Sequence, residues 1–184
     1  EWKKTHKIDV EFLNKVFSWH PFSDEELIEV LGKVKIDPFT KELVQFITEQ
    51  DGGFLILSAG FNYYIERALK RDGLEELTLI SNPGVFENQI FVMKPDVNKS
   101  YYSPIYGVDK ERVVLEHKEK YKKVYFAGDS EPDLKAALAA DLVFAKGELI
   151  PLLESHHKPF HKFTNYKEVI AILKEALSNE QFMD

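Results

Sequence analysis

The sequence predicts an α/β protein in which helices cover both faces of a mainly parallel sheet. Short apolar runs of four residues recur along the chain, amphipathic helical segments separate them, and glycine, proline or capping residues mark the boundaries. Continuous apolar runs of this length are typical of parallel strands that are buried on both faces. At 184 residues, of which 44% are hydrophobic, the chain is long enough for one ordinary domain or for a core with a small appendage.

Three helices are predicted before the first strand. Residues 8–19 (IDVEFLNKVFSW) place their apolar side chains on one helical face, and residues 22–32 (FSDEELIEVLG) open with Ser23 and Glu26 at the spacing of a capping box. Residues 37–53 (DPFTKELVQFITEQDGG) begin with an Asp-Pro pair and end at two glycines, which favours a third, capped helix.

Strands and helices alternate along the remainder of the chain. The predicted strands are FLIL at 54–57, LTLI at 77–80, VYFA at 124–127 and LVFA at 142–145, and VFENQIFV at 85–92 fits a hairpin. The predicted helices are 61–73, 109–120, the segment after Asp133, and 165–177, the last one capped by Asn165 and Glu168. Residues 94–107 form a long loop with two prolines.

The composition narrows the class of partner and the compartment. The formal net charge is −7 without a block of like charges, so we expect no nucleic-acid partner. The absence of cysteine excludes disulfides and thiolate metal sites, and no apolar run approaches the length of a membrane span. We therefore expect a cytoplasmic protein without a membrane partner.

A hydroxyl and two small residues follow the predicted strand 54–57. Ser58, Ala59 and Gly60 lead directly into the helix 61–73. Backbone N–H groups and a helix N-terminus at the carboxyl end of a strand can bind an anion, so we predict an anion site here. The alternative is that Ser58 only caps the helix.

Two aspartates follow the predicted strand 124–127. Gly128 permits a tight turn that places Asp129 at the strand tip, and Asp133 lies one turn into the next helix, where both carboxylates can face the same place. Paired carboxylate oxygens beside a phosphate suit Mg²⁺. The alternative is that Asp129 caps the helix and Asp133 is a favourable acid in its first turn. The presence of two aspartates at this spacing after a buried strand favours the metal site.

Lys110 lies at the start of the helix 109–120, where a positive charge opposes the helix dipole. A lysine in this position could neutralise a phosphoryl group as a point charge. The alternative is that it is one of 24 basic residues on a solvated surface.

The order of three segments resembles the haloacid dehalogenase superfamily of phosphatases. LILSAG, VDKERVV and VYFAGDSEPDLKAALAAD are similar to its second, third and fourth motifs, and the match spans about residues 37–146. The chain looks like the phosphoserine-phosphatase branch. Within that branch, KIDPFTKELVQFI, FLILSAGFNYYIERAL and DLVFAKGELI look most like the methionine-salvage phosphatase that acts on a hydroxyketo-methylthiopentenyl phosphate.

The resemblance implies a Mg²⁺-dependent phosphatase that hydrolyses a small-molecule phosphomonoester through an aspartyl-phosphate. Ser58 would donate a hydrogen bond to a phosphoryl oxygen, with help from the Ala59 and Gly60 amides. Lys110 would offset charge on the nucleophile and on the phosphate.

The resemblance also implies a metal site and a division into domains. Asp129 would ligate Mg²⁺, and Asp133 would orient the waters of the metal or Lys110. Residues 37–184 would form a Rossmann-like core, and residues 1–36 would be the remainder of a small helical cap.

The first motif of the superfamily, an apolar strand that ends in Asp-x-Asp-Gly-Thr, does not occur in this sequence. Residues 9–11 (DVE) lie in a helical pattern, and residues 51–53 (DGG) precede the strand 54–57. The resemblance implies that this motif supplies the nucleophile and a central strand. We therefore expect a strand ending in an aspartate upstream of Glu1, which the intact mass and N-terminal sequence of the native protein would test.

Two other classes of function use similar residues. A catalytically inactive binder of a phosphate ligand would have the same site, and a receiver-like signalling domain is also built on an aspartate, a hydroxyl residue and a lysine. The spacing of Asp129 and Asp133 and the aromatic helices before residue 37 argue against a receiver domain. The sequence leaves the substrate and the oligomeric state open.

Overall fold

The computed structural model describes residues 9–181 and confirms the α/β class. The helices are α1 Val10–Phe17, α2 Asp24–Gly32, α3 Thr40–Glu49, α4 Asn62–Arg71, α5 Lys110–Lys118, α6 Leu134–Ala139, α7 Leu149–Ser155 and α8 Tyr166–Gln181. The strands are β1 Leu55–Phe61, β2 Thr78–Asn82, β3 Gly84–Glu87, β4 Ile90–Met93, β5 Tyr102–Ser103, β6 Gly107–Val108, β7 Tyr125–Gly128, β8 Leu142–Ala145 and β9 His161–Lys162.

The chain folds into two compact units. The first unit comprises residues up to 35 together with 55–113, and the second comprises 36–54 together with the residues from 114 onward. The predicted division into a cap remainder at 1–36 and a core at 37–184 assigns residues 55–113 to the core and not to the first unit. It stays a prediction.

The first unit contains the parallel pair β1–β2 and the antiparallel hairpin β3–β4. The predicted hairpin is confirmed, and its two loop residues, Asn88 and Gln89, have φ values of 51° and 64°. Positive φ at both loop positions is typical of the turn whose twist matches the strands of a hairpin. Helices α1 and α2 bury an apolar face against the hairpin in a core that includes Leu27, Phe61 and Phe91.

The caps of the first two helices follow the sequence closely. The Ser23 side chain accepts from the Glu26 amide, and the Glu26 side chain accepts from the Ser23 amide, which confirms the capping box of α2. Helix α1 begins after Asp9, whose carboxylate accepts from the Phe12 amide at 2.8 Å. Ile8, the first residue of the predicted helical face, lies outside the described residues.

Strand β1 is longer than predicted. The sequence predicted a strand at 54–57 whose end leads through Ser58, Ala59 and Gly60 into a helix at 61, but the strand continues through Ser58 to Phe61. Its pairing with β2 is regular up to Leu57 opposite Ile80 and resumes at Phe61 opposite Asn82, with a register shift between them. The extension exists because β2 continues to Asn82 and offers a partner, which the local apolar pattern does not show.

The second unit contains the parallel sheet β7–β8–β9, with α6 connecting its first two strands. Helices α3 and α8 pack on it through a buried apolar cluster: Leu43, Phe144, Phe163, Val169, Ile170 and Leu173. The Asn165 side chain accepts from the Glu168 amide at 3.3 Å, as the sequence predicted for the last helix. Asp37 accepts from the Phe39 amide just before α3 begins and from the Tyr166 amide where α8 begins, so it ties the two helices together.

Two parallel strands each have one edge without a strand partner among residues 9–181. Strand β1 pairs with β2 alone, and β7 pairs with β8 alone. The apolar residues Leu55 and Ile56 of β1 are half-buried rather than buried. Such an edge presents N–H and C=O groups that a further strand could pair with. None of the described helices has the length and hydropathy needed to cross a membrane.

We expect Phe144→Ala to lower the free energy of unfolding by about 3–5 kcal/mol. Phe144 is 2% exposed at the centre of the cluster between β8, α3 and α8, so the truncation leaves a cavity. Urea denaturation followed by circular dichroism measures the loss. The control is Leu115→Ala in the same unit, where the side chain is 48% exposed; an equal loss in both variants would contradict the assignment of this core.

Candidate functional site

Ser58 lies near the carboxyl end of β1 and organises the residues that follow it. Its Oγ accepts from the Gly60 amide at 3.0 Å. In this state the Gly60 N–H, predicted as a donor to an anion, is directed at a protein oxygen. The predicted role of Gly60 stays a prediction, and a bound anion would have to replace this hydrogen bond.

Tyr64 lies against the same segment, and the sequence analysis missed it. Its hydroxyl is hydrogen-bonded to the Ser58 side chain, and a side chain at Gly60 would overlap the Tyr64 hydroxyl. Burial raises the pKa of the Tyr64 phenol above its usual value, while the hydrogen bond with Ser58 acts in the opposite direction. The position of Tyr64 in the first turn of the helix could have indicated this contact. Side chains in a first turn lean toward the N-terminus of the helix and therefore toward the preceding strand.

Asn82, at the end of β2, is a second residue that sequence reasoning missed. Its Nδ2 donates to the carbonyl oxygens of Ala59 and Tyr106, each at 2.8 Å. Asn82 is 1% exposed. It therefore connects the predicted anion segment with the turn that precedes Lys110.

Lys110 is the first residue of α5, as the sequence predicted, and it is half-buried. The helix is capped by Asp109, whose carboxylate accepts from the Arg112 amide at 3.1 Å. The structure thus places Lys110 at a capped helix start immediately after β6. Its action on a phosphoryl group stays a prediction.

Asp133 is buried, with 3% exposure, and its carboxylate holds the turn after β7. Its Oδ2 accepts from the amides of Asp129 and Ser130 at 2.9 and 3.1 Å and from the Ser130 hydroxyl at 3.2 Å. The structure therefore gives Asp133 a role in fixing the backbone of Asp129. Whether it also orients metal-bound waters or Lys110 stays a prediction.

A glycine is required at position 128 because Asp133 leaves no room for a side chain there, and not because of the backbone conformation. A side chain at this position would lie 2.8 Å from both Cβ and Cγ of Asp133. Glycine lets the buried carboxylate approach the strand end closely enough to reach the Asp129 amide. The sequence singled out this glycine for a tight turn, whereas the structure shows that it is needed for the close approach of Asp133.

Asp129 is exposed at the carboxyl end of β7. Its carbonyl oxygen accepts from the Leu149 amide at 3.1 Å, so both its N–H and its C=O are held. Within residues 9–181, no hydrogen bond to its carboxylate is formed. A rigid backbone with an exposed carboxylate is suited to binding a ligand.

A magnesium ion fits this position in part. Mg²⁺ is usually bound by one or two carboxylates together with waters and phosphate oxygens, so a single exposed aspartate can contribute. No group of three or more acidic or histidine side chains that could hold a metal occurs in the part of the chain that the structure describes. Asp129 stays the predicted protein ligand of a magnesium ion, and the remaining ligands would have to be supplied by waters or substrate.

Tyr166, the first residue of α8, is a third residue that the sequence did not single out as part of a site. Burial raises the pKa of its phenol, and the negative charges of Asp37 and Asp129 raise it further. Tyr166 and Asp37 therefore belong to the electrostatic surroundings of Asp129 within the second unit. Their approach depends on the packing of α8 beside α3, which no local pattern reveals.

The two aspartates of this turn should differ in their effect on stability. We expect Asp133→Asn to lower the free energy of unfolding by about 1–3 kcal/mol, because hydrogen bonds to a charged acceptor are stronger than those to an amide. Asp129→Asn should change it by less than about 0.5 kcal/mol, since its carboxylate is exposed. Urea denaturation of both variants measures the difference, and equal losses would contradict the assigned contacts.

Comparisons with known proteins agree with the motifs. No protein-family model matches the chain. A polyol phosphate phosphatase of Saccharomyces cerevisiae is 30% identical over 188 aligned positions, which cover 92% of this chain and 76% of that protein. A 2-hydroxy-3-keto-5-methylthiopentenyl-1-phosphate phosphatase of Microcystis aeruginosa is 31% identical over 147 positions, which cover 78% of this chain and 67% of that protein.

Two solved structures with a similar fold are a probable phosphoserine phosphatase and a phosphoserine phosphatase. A probable phosphoserine phosphatase from Vibrio cholerae has a TM-score of 0.70 at 20% identity, and the match covers 100% of this chain and 56% of that one. A phosphoserine phosphatase in apo form has a TM-score of 0.63 at 15% identity, with 88% of this chain and 80% of that one covered. At these identities the structures show the fold alone, and this chain spans little more than half of the Vibrio protein.

The similarity to the yeast relative extends over most of both chains, and the structural neighbours have the fold that the motifs imply. The resemblance found in the sequence is confirmed, and the chain belongs to the phosphatases of the haloacid dehalogenase superfamily, which are phosphoric monoester hydrolases.

Proposed function

We propose that the protein is a Mg²⁺-dependent phosphatase that hydrolyses a small-molecule phosphomonoester. The observation that carries the proposal is the turn after β7, where a buried Asp133 fixes the backbone of Asp129 and leaves the Asp129 carboxylate exposed. A rigidly held, solvent-facing carboxylate at the carboxyl end of a parallel strand is a typical place for a metal and substrate in α/β folds. Membership of a phosphatase superfamily supports the same reaction.

The proposed roles follow from the chemistry of each side chain. The Ser58 hydroxyl donates a hydrogen bond to a phosphoryl oxygen, and the Lys110 ammonium offsets negative charge on the phosphate. Asp129 holds Mg²⁺, which when bound neutralises charge on the phosphoryl group. The aspartyl-phosphate route requires an aspartate nucleophile, which the first motif of the superfamily supplies.

The substrate class is a small phosphate ester with an uncharged body. The two curated relatives are named for a polyol phosphate and for a methylthiopentenyl phosphate, and they are 30% and 31% identical to this chain. Such a small difference in identity does not choose between them. Both substrate types therefore belong in any assay, together with phosphoserine, which names the structural neighbours.

A second candidate function is a catalytically inactive protein that binds a phosphate ligand. Such a protein would use the same exposed Asp129 carboxylate and the same Ser58 segment. A binder would show affinity for phosphate esters without releasing phosphate. Cytoplasmic location and the absence of nucleic-acid and membrane partners stay predictions from the sequence, and the oligomeric state stays open.

We expect Asp129→Asn to lower the rate of phosphate release at least about 100-fold, because a lost metal ligand removes charge stabilisation from the reacting group. The assay uses the full-length native protein with polyol phosphates, the methylthiopentenyl phosphate and phosphoserine, each with Mg²⁺ and with excess EDTA. EDTA should abolish release in the unaltered protein.

The matched control is Glu175→Gln, which removes one negative charge from an exposed position in the same unit. It should keep the rate within about twofold, as surface substitutions usually do. Phosphate release that survives both EDTA and Asp129→Asn would refute the metal-dependent mechanism. Ligand binding without any release would support the inactive binder.

A further inference from the structure

We propose that Asn82 is a positioning residue that fixes the backbone around Ser58 relative to the turn before Lys110. The inference rests on the proposed function, in which Ser58 and Lys110 bind the phosphoryl group. All three residues belong to the first unit. Asn82 is not proposed to touch the reacting atoms or a metal. It acts through the backbone of the Ser58 segment and of the turn before Lys110.

The side-chain amide of Asn82 makes two hydrogen bonds to segments that are distant in sequence. Nδ2 donates to the carbonyl oxygen of Ala59, the residue after Ser58, and to that of Tyr106, four residues before Lys110; both distances are 2.8 Å. Both acceptors are carbonyl oxygens, so only the orientation of the amide that directs Nδ2 at them forms hydrogen bonds. The reverse orientation would place Oδ1 against two other oxygens.

The register of β1 explains why such a link is needed. Regular pairing with β2 stops at Leu57 and resumes at Phe61, so Ser58 and its two neighbours bulge from the ladder. Pairing with β2 does not fix this segment as it fixes the start of the strand. The hydrogen bond from Asn82 to Ala59 ties the bulge to β2 at the place where the ladder does not.

The turn before Lys110 is shaped around the same amide. Gly107 has φ of +74°, a conformation that glycine adopts without strain. A side chain at Gly107 would lie 2.5 Å from Cγ and 2.7 Å from Nδ2 of Asn82. The absence of a side chain at Gly107 therefore admits the Asn82 amide into contact with the turn.

The burial of Asn82 strengthens the link. The residue is 1% exposed, so water does not compete for the two hydrogen bonds of its amide. An apolar side chain of similar size would fill the same space, but it would remove both donors and leave the two carbonyl oxygens without this partner.

The test compares Asn82→Ala and Asn82→Ser with Asn14→Ala in the full-length native protein. Asn14 is a matched control because it lies in the same unit and its amide also makes two backbone hydrogen bonds, donating to the Met93 carbonyl and accepting from the Met93 amide. All three variants should lower the melting temperature. Asn82→Ser keeps a hydroxyl donor on a smaller side chain, and it serves as the main variant should Asn82→Ala not fold.

The readouts are kcat and KM for the best phosphomonoester and the Kd of inorganic phosphate, each at a temperature where the variant is folded. We expect both Asn82 variants to lower kcat about 10- to 100-fold, as is typical when the support of a catalytic group is removed. Asn14→Ala should keep kcat and KM within about twofold. Folded Asn82 variants that keep kcat within about twofold would overturn the positioning role.

A double substitution separates positioning from general destabilisation. Because Asn82 acts through the segment that carries Ser58, Asn82→Ser should lower kcat less in a Ser58→Ala background than in the unaltered protein. Equal, additive losses would overturn the inference. Failure of the proposed function looks different, since the unaltered protein would then release no phosphate from any ester. In that case a Kd for inorganic phosphate that rises about tenfold in Asn82→Ser and not in Asn14→Ala would still support the link, and an unchanged Kd would overturn it.

Discussion

The buried carboxylate of Asp133 determines the geometry of the turn on which the candidate site depends. It accepts hydrogen bonds from the two amides and the hydroxyl that follow β7, so it replaces the partners that these groups lose when the strand ends. Gly128 is part of the same arrangement because any side chain there would overlap Asp133. These contacts fix the backbone that carries the exposed carboxylate of Asp129. The carboxylate therefore does not need hydrogen bonds of its own to keep its position.

The first unit uses the same principle with a different residue. Asn82 is buried and donates to two backbone carbonyls, one beside Ser58 and one in the turn before Lys110. In both units a buried polar side chain fixes the backbone of a residue proposed to bind the ligand. This division of roles explains why two buried polar groups occur in otherwise apolar surroundings, where each must find hydrogen-bond partners.

Local patterns in the sequence predicted most of the elements, because strand and helix signals depend on neighbouring residues. The apolar runs gave β2, β7 and β8, and Ser23 with Glu26 marked the start of α2. The extension of β1 through Ser58 was missed because it requires β2 as a partner. Asn82, Tyr64 and Tyr166 were missed for a related reason: their positions in the site depend on contacts that form only after the chain has folded.

The two supporting residues differ in how far along the chain their contacts reach. Asp133 bonds to residues three and four positions before it, so its hydrogen bonds to the turn close only short loops. Asn82 bonds to residues 23 and 24 positions away on either side, so its contacts require loop closure in both directions. Loosening the core of the first unit therefore disturbs the Ser58 segment, because the link of that segment to β2 depends on contacts between residues that are far apart in the sequence.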